Sequence, residues 1–162
     1  MSKHFAVLVA VAVASGSASA DDTDKVLLQL TATLVAKSKT VKVGEVPVFV
    51  LTVQNNSTSS VRLLDAGQKD LQFARYFLQV RQDGKPVDLP SAIPGVPLTD
   101  AKSYVTLKPR TKLEFEFSKF ALRVDTLSPG KYEASIFFSV ESADETKRSI
   151  VDSSFAKFTV EK

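Results

Sequence analysis

The stretch Leu127-Ser128-Pro129-Gly130-Lys131-Tyr132-Glu133-Ala134-Ser135-Ile136-Phe137-Phe138-Ser139-Val140 decides the fold of this chain. Its first half reads L-x-P-G-x-Y, a turn that feeds a tyrosine into a strand. Pro129 presets one turn dihedral, and Gly130 is expected to take the positive φ that a type II turn demands next. From there Tyr132, Ala134, Ile136, Phe138 and Val140 alternate, which at period two puts five apolar side chains on one sheet face. A tyrosine just past such a turn marks a tyrosine corner, its hydroxyl bonded back to backbone a few residues upstream. Corners of this kind belong to Greek-key β-sandwiches, so Pro129, Gly130 and Tyr132 are the expected structural determinants.

Working outward, the flanking sequence supplies the other strands. Val26, Leu28, Leu30, Ala32 and Leu34 alternate, predicting a first strand over 26–36. Lys37, Lys39 and Lys42 follow in a basic loop. Such a loop suits an anionic ligand, or it solvates a sheet edge and discourages strand addition. Pro47 to Val53 is apolar at successive positions, as a central strand requires, and the polar turn Asn55 to Ser60 leads into a short strand Val61 to Leu64. After an irregular stretch from Asp65 to Ala74, Arg75 to Arg81 reads as a strand. Asp83-Gly84 is a two-residue hairpin signal leading into Lys85 to Leu89. Residues 90–102 hold three prolines and a glycine and predict a long loop. Ser103 to Leu107 is the next strand, then a tight turn at Lys108 to Arg110. Leu113, Phe115 and Phe117 alternate with charged neighbours as a half-buried strand. Beyond the organising stretch, Glu141 to Arg148 is a charged loop and Ile150 to Val160 a last strand or strand pair. Short strands with frequent turns, together with the corner, predict an all-β chain: an immunoglobulin-like or fibronectin III-like antiparallel β-sandwich of about seven to nine strands.

The N-terminus has a separate logic. Lys3, the ten-residue apolar run Phe5 to Ala14 and Ala18-Ser19-Ala20 match the three regions of a cleaved secretory signal peptide. A run that short cannot span a bilayer, which takes roughly 20 residues. The expected organisation is a signal peptide over 1–20 and one β-sandwich domain over 21–162, secreted or periplasmic. The formal net charge of +3 falls by one when Lys3 leaves. A balance that near zero and that evenly spread argues against nucleic acid or an anionic membrane as partner.

The residue types set the chemistry. There is no cysteine or tryptophan, and the single histidine, His4, lies in the leader. The exported chain therefore cannot assemble a Ser-His-Asp triad, a Cys-His dyad or a structural zinc site, and it has no disulfide. No nucleotide-binding or EF-hand motif occurs. No catalytic, cofactor or metal residues are expected, and the chain reads as a non-enzyme. Two carboxylate groupings remain on that basis. Glu114 and Glu116 share a strand face at roughly 6.7 Å, near glycosidase spacing, but they flank core phenylalanines on the solvated side. Glu141, Asp144 and Glu145 lack the glycine and regular spacing of a calcium loop. Asn55-Asn56-Ser57-Thr58 contains two overlapping glycosylation sequons in a turn expected to be exposed.

Several of these elements recur together in known domains. Val61 to Asp65, Phe77 to Gly84, Tyr104 to Pro109, Ser118 and Gly130-Lys131-Tyr132 resemble the β-sandwich preceding the catalytic domain in peptidyl-Lys metalloendopeptidases of the deuterolysin clan. The same order, an Asp-Gly-Lys-Pro hairpin followed by L-x-P and then L-x-P-G-x-Y, is similar to BsuPI-type proteinase inhibitors. Arg110 departs from the pattern, standing where those families usually have glycine. No H-E-x-x-H follows, so peptidase activity does not carry over. The resemblance implies a detached proteinase-associated or inhibitory module. The expected function is therefore non-catalytic recognition of a protein partner, a proteinase among the candidates; the alternative is a structural or envelope-associated module without a dedicated ligand. For the contact itself, the proline-rich loop offers Ile93, Val96 and Leu98, with Tyr104 just beyond. Those apolar residues form either a partner's contact core or packing for the sandwich's own edge.

Overall fold

The computed structural model describes residues 29–68, 75–91 and 101–162. The expected signal peptide over 1–20, the start of the first expected strand at 26–28, and Ile93, Val96 and Leu98 lie outside the described residues.

The alternations become strands: β1 (Leu30–Ala36), β2 (Thr40–Lys42), β3 (Phe49–Asn55), β4 (Val61–Leu64), β5 (Tyr76–Gln82), β6 (Lys85–Pro86), β7 (Tyr104–Leu107), β8 (Lys112–Phe117), β9 (Gly130–Ser142), β10 (Arg148–Asp152) and β11 (Ala156–Glu161). They form a three-stranded sheet in the order β1-β3-β8 and an eight-stranded sheet built on β2-β11-β9-β4-β7. The organising stretch is the spine of the larger sheet. Over its 13 residues, β9 pairs with β4 and β5 along one edge and with β10 and β11 along the other. The expected alternation holds, with Tyr132, Ala134, Ile136, Phe138 and Val140 all buried.

The sheets meet through aromatic rings. Phe49 of the small sheet meets Phe158 edge-on at 5.5 Å, and Tyr76 of the large sheet lies 5.1 Å from Phe117. Edge-to-face and offset pairs add about 0.5–1.5 kcal/mol each beyond their buried area. Ser153 and Ser154 join the layers between β10 and β11. The Ser153 hydroxyl accepts from the Ile136 amide at 2.9 Å. The Ser154 amide donates to the Ala32 carbonyl at 2.9 Å, and its hydroxyl accepts from the Leu34 amide at 3.2 Å. That break divides the last strand into a pair.

The tyrosine corner is present: the Tyr132 hydroxyl donates to the Ser128 carbonyl at 2.8 Å. The turn before it differs from expectation. Among the described residues positive φ at glycine is confined to Gly44 and Gly84, so Gly130 does not take the type II conformation. Its glycine answers to space instead. A Cβ there would sit 2.7 Å from the Gln82 side-chain nitrogen and 3.3 Å from the Tyr132 ring. At the β5–β6 hairpin the predicted chemistry holds, with Asp83 at φ 51° and Gly84 at φ 76°, both left-handed as a type I′ turn needs. Arg110 occupies the same region at φ 60°. The position that departs from the resembled families is thus one whose backbone favours glycine.

Four further expectations change. Among the described residues the strands number eleven, against the seven to nine expected. β2 is added and the last segment divides into β10 and β11, while β6 falls within the expected Lys85 to Leu89 arm of the hairpin. The basic loop contains β2, a three-residue edge strand that pairs parallel with β11 through Thr40↔Thr159 and Val41↔Val160. One parallel pair therefore sits at the margin of an otherwise antiparallel sandwich. The strand expected to end at Val140 runs on to Ser142, which places Glu141 inside the sheet. The sequon turn is not freely exposed: Asn55 is fully buried. Its amide donates to the Ser59 and Leu107 carbonyls at 2.8 and 3.2 Å. Its oxygen accepts from the Ser57 amide and hydroxyl at 3.0 and 2.6 Å. A side chain so engaged is a fastening between turn and sheet. Asn56 is half-buried, with its amide on the Thr31 hydroxyl at 2.9 Å.

Candidate functional site

Strand alternation assigns the outer face of the large sheet without further assumption. Residues paired across strands share a face, so the outward set includes Tyr104, Arg62, Glu133, Phe137, Glu141, Phe77, Arg81, Arg148, Ile150, Lys131 and Lys157. Three zones follow one another across this face.

At one end Tyr104, the expected contact residue, is half-buried in a polar network. The Arg62 guanidinium lies 4.6 Å from its ring centroid, and its hydroxyl donates to a Glu141 oxygen at 3.3 Å. Arg148 bonds the same carboxylate, and Arg62 reaches on to Glu145. Tyr104 is thus part of a charge-balanced cluster. These pairings also disperse the acidic loop. Glu141 faces Arg148 and Glu145 faces Arg62, while Asp144 accepts from Ser142, Thr146 and the Thr146 amide. Those bonds hold the Asp144 carboxyl below the usual carboxylate range. Among the described residues no three His, Cys, Asp or Glu side chains gather as a metal site would require. Glu114 and Glu116 likewise go to separate lysines, Lys112 at 2.9 Å and Lys37 at 2.7 Å.

The middle zone is apolar and open to solvent. Phe77 and Phe137 stand opposite each other on β5 and β9, stacked at 5.0 Å with their planes 18° apart. Phe77 is 46% exposed. Ile150 pairs with Ser139, two residues along β9 from Phe137, and is 68% exposed. Toward the other end Arg81 stacks on Phe155 at 4.5 Å from the ring centroid, and its Nη2 donates to Gln79 at 3.0 Å. No sequence motif joins these residues, which come from separate strands. The only local sign is that Tyr76-Phe77 and Phe137-Phe138 interrupt strict alternation with an aromatic on the outward position.

The third zone is a shallow depression of about 480 Å³ beside the Asp83-Gly84 hairpin. Lys39, Lys131, Lys157, Glu133 and Thr159 line it. Among the described residues no helix is long and apolar enough to cross a membrane.

No family model matches this chain, and no curated protein matches it. Solved structures resemble its fold. Pseudomonas fluorescens alkylpurine DNA glycosylase AlkC, bound to DNA containing an abasic site analog, aligns over 83% of this chain with 10% identity and a TM-score of 0.43. The chain spans only 31% of that protein's length. A Pyrococcus furiosus CARDB domain in complex with di-metal ions aligns over 81% of this chain and 91% of its own, with 14% identity and a TM-score of 0.37. The CooA pilin subunit of enterotoxigenic Escherichia coli aligns over 82% and 99%, with 13% identity and a TM-score of 0.29. At these scores the likenesses carry no argument about ligand or activity. The strand pairing and the corner make the chain an immunoglobulin-like β-sandwich.

Proposed function

We propose that this chain is an exported, non-catalytic module that recognises a protein partner through the outer face of its large sheet. The observation that carries the reading is the stacked, solvent-facing Phe77–Phe137 pair with Ile150 beside it. Outward positions of a sheet that only has to stay in solution are polar. Here the centre of the face is aromatic and aliphatic, with Arg62, Arg81 and Tyr104 around it. An apolar centre with a polar rim rich in arginine and tyrosine is the anatomy of a protein–protein contact. The non-catalytic reading rests on composition, since a leader cleaved after Ala20 removes the only histidine and the chain has no cysteine. The resemblance to BsuPI-type inhibitors and to the domain of peptidyl-Lys metalloendopeptidases supports a proteinase as the class of partner.

The test is capture from the exported fraction by the chain starting at Asp21, compared with a Phe77→Ser/Ile150→Ser variant. The expected result is a protein bound saturably by the first and lost from the second, with the melting temperature lowered by only the few degrees that loss of the Phe77–Phe137 stack accounts for. Equal capture by both chains contradicts the assignment of this face. Saturable capture of nothing, with the chain retained in the envelope, supports a structural role instead.

A further inference from the structure

We propose that the depression between the Asp83-Gly84 hairpin and the β2 edge binds carboxylate side chains of an acidic peptide segment. The inference rests on the reading of this chain as a protein-binding module and adds to it the chemistry of the segment bound.

The sandwich brings together three lysines that lie far apart in the sequence. The Lys39 carbonyl accepts from the Thr159 amide at 2.9 Å, which fixes the start of β2 against β11. Thr159 stands opposite Thr40 on one side and Lys131 on the other. Lys157 follows on the same face, opposite Glu133 and 3.5 Å from its carboxylate. Lys39 and Lys131 have no acidic partner among the described residues. The volume of about 480 Å³ falls within the range of ligand-binding clefts, roughly 300–1,000 Å³.

The composition of the lining selects the anion. Asp83 and Glu133 line the depression with the three lysines, so only one positive charge is in excess. A compact dianion such as phosphate meets both carboxylates at once, and no arginine fork is present to hold it bidentately. Carboxylates spaced along an extended chain approach Lys39 and Lys131 singly and leave the acidic residues to solvent. The hydroxyls of Thr40 and Thr159 lie on the same face as further donors. The mere protection of an edge strand by lysines explains Lys39, yet β2 is the edge and Lys131 lies two strands inside it.

Fluorescence anisotropy of a labelled, extended Glu-rich peptide against the chain starting at Asp21, at low ionic strength, provides the test. Saturable binding is expected, weakened roughly five- to tenfold by Lys39→Gln/Lys131→Gln, in line with the loss of two exposed ion pairs. It is expected to survive Phe77→Ser/Ile150→Ser, so this site and the aromatic contact stand or fall separately. Three results overturn the proposal: no binding; an equal loss on Lys108→Gln/Lys119→Gln, which changes the same charge elsewhere; or displacement of the peptide by equimolar inorganic phosphate.

Discussion

The two outer faces of this sandwich obey different rules. On the small sheet the outward positions of β8 are Lys112, Glu114 and Glu116, tied into exposed ion pairs, and those of β3 include Thr52 and Gln54. Its exposed apolar side chain, Val35, stands opposite the half-buried Val50 on β3 and follows Thr31 and Thr33 along β1. On the large sheet the corresponding positions at the centre include Phe77, Phe137 and Ile150, with Asp152 opposite Phe137 and Ser139 opposite Ile150. Both inner faces are equally apolar, so folding imposes the same demand on each layer. The outer faces are free of that demand. The departure from polarity on one of them therefore points to something other than folding, and an interface is the physical setting that stabilises it.

The comparison is sharpest at two adjacent residues. Phe138 is buried, whereas Phe137 next to it faces outward. Phe138→Ala should destabilise the domain by about 3–5 kcal/mol, and Phe137→Ala by clearly less, its half-buried ring giving up roughly 0.5–1.5 kcal/mol of stacking on Phe77 and only part of a buried ring's apolar area. Urea midpoints of the two variants measure the gap. Equal losses would make the outer aromatics part of the fold and remove the reason to assign them to a partner.

The next effects concern the spine and its fastenings. Tyr132→Phe leaves the Ser128 carbonyl without its donor and should cost roughly 1–3 kcal/mol. An unchanged midpoint would mean that the corner does not hold the start of β9. Arg110→Gly runs the other way. Relief of the left-handed strain, of order 1–2 kcal/mol, outweighs the roughly 0.5–1 kcal/mol of added chain entropy, so a small gain in stability is expected. A loss would show that the Arg110 side chain contributes contacts exceeding that strain.

These positions also show what the sequence made legible. The inner faces could be read because alternation is local and each buried side chain announces its neighbours two residues away. The corner could be read because turn and tyrosine lie within one short segment. β2 escaped because one buried residue, Val41, flanked by Thr40 and Lys42 is too short a pattern to display a period. The role of Asn55 escaped because its partners include Leu107, 52 positions on, and a sequon motif says nothing about tertiary burial. The reason for Gly130 lies in Gln82, a residue from another strand. The candidate surface escaped for the same cause: Phe77, Phe137 and Ile150 become neighbours only through the pairing of β5, β9 and β10. Of the contact residues expected from sequence, Tyr104 lies at the rim of that surface, within its charge network.

The smallest effect is on acid stability. Asp144 is held below the ordinary carboxylate range by the Ser142 and Thr146 hydrogen bonds. A carboxyl lowered in the folded state contributes stability that is complete above its unfolded value near 3.8 and is lost as pH falls through the folded one. Asp144→Asn should therefore lower the melting temperature slightly at neutral pH and converge with the unaltered chain below about pH 4, which flattens the acid limb. An unaltered acid limb would mean that the loop opens before the carboxyl titrates.

The central claim is that the large sheet's outer face, and not the small sheet's, meets the partner. Titration calorimetry of the captured protein against two face variants of matched stability tests it most directly. One is Phe77→Ser/Ile150→Ser on the large sheet, and the other is Val35→Ser/Thr52→Ser on the small sheet. The account predicts affinity lowered at least tenfold by the first and unchanged by the second, each apolar anchor supplying of order 1 kcal/mol or more. Equal affinity for both variants, or a loss confined to the small-sheet variant, would contradict it.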